Sequence, residues 1–86
     1  MRRKQTYDTP VLNMLKAFND FAGGECLLIE LRDQWYFHMG SRSDNRFIYW
    51  LELAMEIANE KVEIVYKRVP GWYSEVSFHI KEKIEL

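Results

Sequence analysis

Between positions 9 and 22 apolar residues return every three to four places: Val11, Leu15, Phe18 and Ala22, flanked by Met14 and Phe21. That spacing predicts one buried helical face. Thr9-Pro10 supplies an N-cap and a proline at the first helical position, and Gly23-Gly24 supplies the stop. A helix is expected over about 10–22. From Cys26 the pattern changes to alternation. Leu27, Ile29 and Leu31 fall on one side and Glu30 and Arg32 on the other, as in a strand. Asp33-Gln34 is the expected turn, followed by a second strand at 35–39 with Trp35, Phe37 and Met39 inward. Gly40 to Ser43 form a loop, and Asp44 is placed to cap a helix over about 45–59. Alternation resumes at about 61–68 with Val62, Ile64 and Tyr66 on one face. Pro70-Gly71 suits the two central positions of a type II turn. A last strand, about 72–83, sends Val76, Phe78 and Ile80 inward.

The expected order is therefore αββ followed by αββ. The halves echo each other: Arg32 precedes Trp35-Tyr36 as Arg68 precedes Trp72-Tyr73. A tandem αββ repeat accounts for this, although any two such units share a general likeness. Two units side by side predict an α+β fold with a four-stranded antiparallel sheet and two helices packed on one face. Right-handed connections would put the second and fourth strands at its centre, a permuted ferredoxin-like plan.

Composition narrows the class. Eighty-six residues suffice for one domain, and three Trp, five Tyr and five Phe give it large apolar groups to bury. Residues 1–8 are expected as a flexible basic tail and 9–86 as a single α+β domain. A single cysteine, Cys26, cannot staple the fold internally, which fits a reducing compartment. Met1-Arg2-Arg3-Lys4 has no apolar segment behind it, and no apolar run approaches the ~20 residues of a membrane span. The expectation is a cytoplasmic protein without a membrane partner. The net charge of -1 creates no global field toward nucleic acid.

Three surfaces carry functional expectations. On the helix at 45–59 apolar side chains cover ~220° of the wheel, more than the ~100° stripe that packing on one sheet requires. The excess points to a protein partner or a homodimer, with Phe47 and Trp50 as anchors; cover by the first helix is the alternative. Glu52, Glu56 and Glu60 follow each other at i, i+4 on the same helix, an acidic ridge suited to a basic partner or simply a solvated face. The outward face of the expected sheet carries Arg32, Tyr36, His38, Lys67, Tyr73, His79 and Lys81, a mixture of rings and cations suited to single-stranded nucleic acid. Glu30 and Glu75 oppose that use. His38 and His79 are too few for a zinc site, so neither metal nor cofactor is expected. Arg2, Arg3 and Lys4 could join Arg42 and Arg46 in a basic patch. No glycine loop for phosphate, nucleophile elbow or paired-cysteine motif occurs. The resulting expectation is a small non-enzymatic protein-binding module, a regulator or inhibitor acting by surface occlusion. Accessory proteins of phages and mobile elements have that character, an analogy of size and build alone. The alternative is a single-stranded nucleic-acid-binding domain using the open sheet face.

Overall fold

The computed structural model describes residues 7–68 and 74–86. Helix α1 (Thr9–Asp20) carries Pro10 in its first turn, where the missing N–H would have no helical partner anyway. After α1 the chain turns through Gly23, whose φ of 86° is open to glycine and strained for other residues. The Gly23 N–H donates to the Ile80 carbonyl at 2.7 Å and ties this turn to the sheet. Strand β1 (Gly24–Leu27) follows and runs directly into α2 (Leu28–Met39). Then come α3 (Phe47–Ala58), a single 3-10 turn (Asn59–Lys61), β2 (Val62–Arg68) and β3 (Ser74–Ile80). The expected turn at Pro70-Gly71, with Trp72 and Tyr73, lies outside the described residues, as do residues 1–6 of the expected tail and the side chain of Lys67.

This order overturns the αββ-αββ repeat and the permuted ferredoxin-like plan. Among the described residues there are three α-helices and a three-stranded antiparallel sheet. The error lies in one segment. Residues 28–39, expected as a strand, a turn and a second strand, form one helix. In a helix Leu28, Leu31, Trp35 and Met39 share a face, and Leu31 and Trp35 are completely buried. Ile29 and Phe37, which alternation would send inward, are 55% and 73% exposed. The helix is also well closed at both ends. Glu30 Oε1 accepts the Leu27 N–H at 2.8 Å, one of the donors that a helix start leaves open. Gly40, at φ 73°, donates its N–H back to Tyr36 O (2.9 Å) and Phe37 O (3.2 Å). Asp33-Gln34 therefore makes no turn.

The sheet has the order β1-β3-β2, so the last strand is central. Cys26, Phe78 and Ile64 stand in one row across it. Cys26, Val62, Phe78 and Ile80 are buried toward the core. α1 is the helix against which both α2 and α3 pack, and its Met14, Leu15, Ala17 and Phe18 are fully buried. Each large side chain buried in this way contributes ~1.5–3 kcal/mol. The Trp35 indole fills the space beside Phe47, ring centroids 5.6 Å apart, and its N–H donates to the Pro10 carbonyl at 3.0 Å. The segment after β3 is held by Asn19, which accepts the Ile84 N–H (2.7 Å) and donates to its carbonyl (2.9 Å). No helix of the described residues is long and apolar enough to cross a membrane.

Candidate docking groove between the second and third helices

The loop joining α2 to α3 is organised by one carboxylate. Asp44 does not cap α3 as the sequence suggested; Arg46 occupies that position, and no side chain caps the helix. Instead Asp44 Oδ1 accepts the Arg46 N–H at 2.8 Å, a bond from a side chain to the backbone two residues on that fixes a local turn. Its other oxygen accepts from Arg46 Nη2 (3.2 Å) and from the Trp50 indole N–H (3.1 Å). The Tyr36 hydroxyl donates to the Asp44 carbonyl at 3.3 Å, which joins α2 to the same knot. Side-chain hydrogen bonding from Arg46 holds the Asp44 carboxyl below its ordinary pKa, with the Trp50 donor adding to the effect. Arg46 also lies over the Trp50 ring, 4.9 Å from the centroid, and Arg42 over Tyr36 at 5.3 Å.

This knot sets the first turn of α3 beside the first half of α2 and leaves an open groove of about 470 Å³ between them. Ile29, Arg32 and Tyr36 line it from α2, and Ile48 and Tyr49 from α3. Ile29, Ile48 and Tyr49 are each more than half exposed. Among the described residues no aspartate or glutamate lines the groove, whereas Arg32 and Arg46 do. Arg46 is matched by Asp44; Arg32 has no such match among the described residues. Its Nε is buried without a hydrogen-bond partner, and its guanidinium makes no ion pair among the described residues. A buried donor without a partner costs ~1–3 kcal/mol, so its presence calls for a specific reason.

The expected interface residues divide. Glu52, Glu56 and Glu60 are exposed, with no ion pair among the described residues. The ridge bends at its end: Glu60 belongs to the 3-10 turn after Asn59, whose φ is 53°. Phe47 and Trp50 are core residues, 7% and 8% exposed, and do not project as anchors. The apolar excess of α3 is carried outward by Ile48, Tyr49 and Ile57 instead.

The expected sheet-face platform is not assembled. Arg32, Tyr36 and His38 belong to α2, not to the sheet. Tyr73 lies outside the described residues. His79 and Lys81 flank a carboxylate: Glu63 lies 3.3 Å from His79 Nδ1 and 3.4 Å from Lys81 Nζ. The His79 and Lys81 hydrogen bonds hold the Glu63 carboxyl below its ordinary pKa. His38 pairs with Asp20 at 2.5 Å, which also accepts from Gln34 at 2.7 Å, so the two histidines serve different partners. Among the described residues no three His, Cys, Asp or Glu side chains gather as a metal site requires. Cys26 is buried in β1, and desolvation, with Glu30 nearby, pushes its thiol up to about 12.

Ile29, Ile48 and Tyr49 were not singled out from the sequence. The available signal was the i, i+3, i+7 relation of positions 29, 32 and 36, which only a helix brings to one face. The chain matches no family model, no curated protein and no solved structure.

Proposed function

We propose that this chain is a small protein-binding module, acting as a regulator or inhibitor by occluding the surface it covers, with the groove between α2 and α3 as its docking site. The observation that carries the reading is the unpartnered Arg32, set among the exposed Ile29, Ile48 and Tyr49. An exposed apolar patch around a groove is what partners cover. A half-buried guanidinium without a counter-charge selects an acidic group, which it can hold through two parallel hydrogen bonds. The groove thus suits a peptide segment carrying an aspartate or glutamate beside a large apolar side chain. The apolar side chain would seat between Ile29 and Ile48, with Tyr49 as the aromatic contact. The acidic ridge of Glu52 and Glu56 continues along the same helix and would repel segments richer in acid than one residue, which sharpens selection.

The test is selection of peptides from a random display library on the immobilised protein, followed by titration into isotope-labelled protein. Selected peptides are expected to combine one acidic residue with Leu, Phe, Tyr or Trp. Amide shifts are expected to concentrate at 28–36 and 45–49. Arg32→Gln and Tyr49→Ala should each weaken binding about tenfold, the size of a modest hot spot. Shifts centred on the sheet, or binding that neither substitution changes, would overturn the proposal.

A further inference from the structure

The groove offers an anion more donors than a carboxylate can use. Phe47, Ile48 and Tyr49 open α3, where backbone N–H groups have no carbonyl one turn earlier to meet. No side chain caps this helix, and its first turn holds no acidic residue. The first bonded amide of α3 is that of Trp50, which donates to the Arg46 carbonyl at 3.1 Å. No hydrogen bond among the described residues takes up the three amides before it. Asp44, the acidic residue just ahead of the helix, bonds the Arg46 N–H, the Arg46 guanidinium and the Trp50 indole instead. Residues 45–49 line the groove from one side and Arg32, with its buried and unpartnered Nε, lines it from α2. Open amides and a guanidinium without a counter-charge therefore border one cavity.

The charges point the same way. Arg46 is neutralised by Asp44, which leaves the full charge of Arg32 and the roughly half charge of a helix N-terminus. A carboxylate carries one negative charge on two oxygens, and a guanidinium alone can occupy both through parallel hydrogen bonds. The α3 amides would then stay unmet. A phosphate monoester carries about −1.5 to −2 at neutral pH and has three free oxygens. Two of them can meet Arg32 while the third meets the start of α3, and both kinds of donor suit phosphate.

Given the docking reading of the groove, on which this step depends, we propose that the acidic group it takes is a phosphorylated side chain of a protein partner. Arg32 and the amides of Phe47, Ile48 and Tyr49 hold the phosphate, and Ile29 and Ile48 seat the neighbouring apolar residue. Docking would then follow the phosphorylation state of the partner, because removing the phosphate removes the charge that the groove selects.

The experiment has two arms. In the first, inorganic phosphate, sulfate and acetate are titrated into the isotope-labelled whole chain at matched ionic strength. Phosphate should shift the amides of 47–49 saturably at about pH 7.5 and act more weakly at about pH 5.5, below its second pKa near ~6. Sulfate keeps its double charge and should act equally at both, and acetate should act weakly at both. Arg32→Gln should abolish the phosphate response. In the second arm a peptide with phosphoserine beside leucine is compared with its glutamate counterpart. The phosphopeptide should bind about tenfold more tightly. Asn45→Asp, which adds a negative charge at an exposed position lining the groove, should narrow that margin. Shifts at 47–49 no larger for phosphate than for acetate, a phosphopeptide no tighter than the glutamate peptide, or tighter binding of a single-stranded oligonucleotide than of the phosphopeptide would overturn the proposal. A glutamate peptide that binds through Arg32 without gaining from phosphate would sink this proposal and leave the docking reading standing. If no peptide binds, both fall.

Discussion

Phe37 and Leu31 separate the helix from the two strands that alternation predicts for the same residues. In a pair of strands both side chains point inward. In α2 Leu31 is fully buried and Phe37 is 73% exposed, its ring edge-on to His38 with centroids 5.5 Å apart. A phenylalanine side chain presents ~150–250 Å², of which about a quarter is covered here, or ~50 Å². At ~25 cal/mol per Å², Phe37→Ala forfeits about 1.2 kcal/mol. Alanine's better helix propensity returns about 0.5 kcal/mol, so the net loss is under about 1 kcal/mol. Leu31→Ala removes a buried side chain and leaves a cavity, which costs about 2–5 kcal/mol. For a chain of this length 1 kcal/mol moves Tm by about 4–8 °C, so the two variants are well separated in a thermal melt followed by far-UV circular dichroism. Urea unfolding of the same variants gives the free energies directly, provided the slopes agree. A Phe37→Ala variant as unstable as Leu31→Ala would refute the helical register, because the buried alternative costs about 3–5 kcal/mol for a phenylalanine.

Three further outcomes follow from single contacts. Asn19→Ala strands both the N–H and the carbonyl of the buried Ile84, and urea titration should show a loss of about 1–3 kcal/mol. Asp44 and Glu63 have pKa values below the ordinary carboxylate range in the folded chain. The stability they contribute is complete above the unfolded value near ~4 and is lost as pH falls through the lower folded values. Asp44→Asn should therefore flatten the acid limb of a urea-midpoint against pH plot; an unchanged limb would remove Asp44 from the account. The Cys26 thiol, pushed up to about 12, stays protonated in mildly alkaline buffer and should resist alkylation until denaturant is added. Rapid labelling of the folded chain would contradict its burial.

Much of the fold was legible because most segments contain only one periodicity. Val11, Met14, Leu15 and Phe18 fit a helix and no strand, and α1 lies within two residues of expectation at each end. The helix at 45–59 and the strand at 61–68 were also found, and the last strand is shorter than expected, ending at Ile80. Residues 27–39 contain two periodicities at once. Leu27, Ile29 and Leu31 satisfy a period of two, while Leu28, Leu31, Trp35 and Met39 satisfy one near three and a half. When so many positions are apolar or aromatic, alternation alone cannot choose. The deciding signals were Glu30 in the first turn, Gly40 directly after the last apolar residue, and, in the middle, no glycine for a two-residue hairpin turn at Asp33-Gln34. Taking the β reading there supplied a strand that does not exist, and the repeat and the fourth strand both followed from it.

The same segment decided how much of the candidate site was visible. Arg32 and Tyr36 were picked out for carrying charge and aromatic character, and they do line the groove. They were assigned to a sheet because a strand sets residues 30, 32, 36 and 38 on one side, whereas a helix sets 29, 32 and 36 together. One misread period thus turned a groove between two helices into a flat platform and exchanged Ile29 for His38 as a neighbour of Arg32. The apolar excess of α3 was sound as a quantity, but its angle was not known until α1 claimed part of the arc. Trp50 went to the core because its indole N–H had Asp44 to satisfy it, which is how a large polar-tipped ring is buried without loss. Ile48 has no polar tip to be satisfied, the described residues show no hydrogen bond to the Tyr49 hydroxyl, and both stay more than half exposed. Local pairing inside the loop therefore determined which apolar side chains remained for a partner, and a wheel drawn for α3 alone contains no trace of that loop.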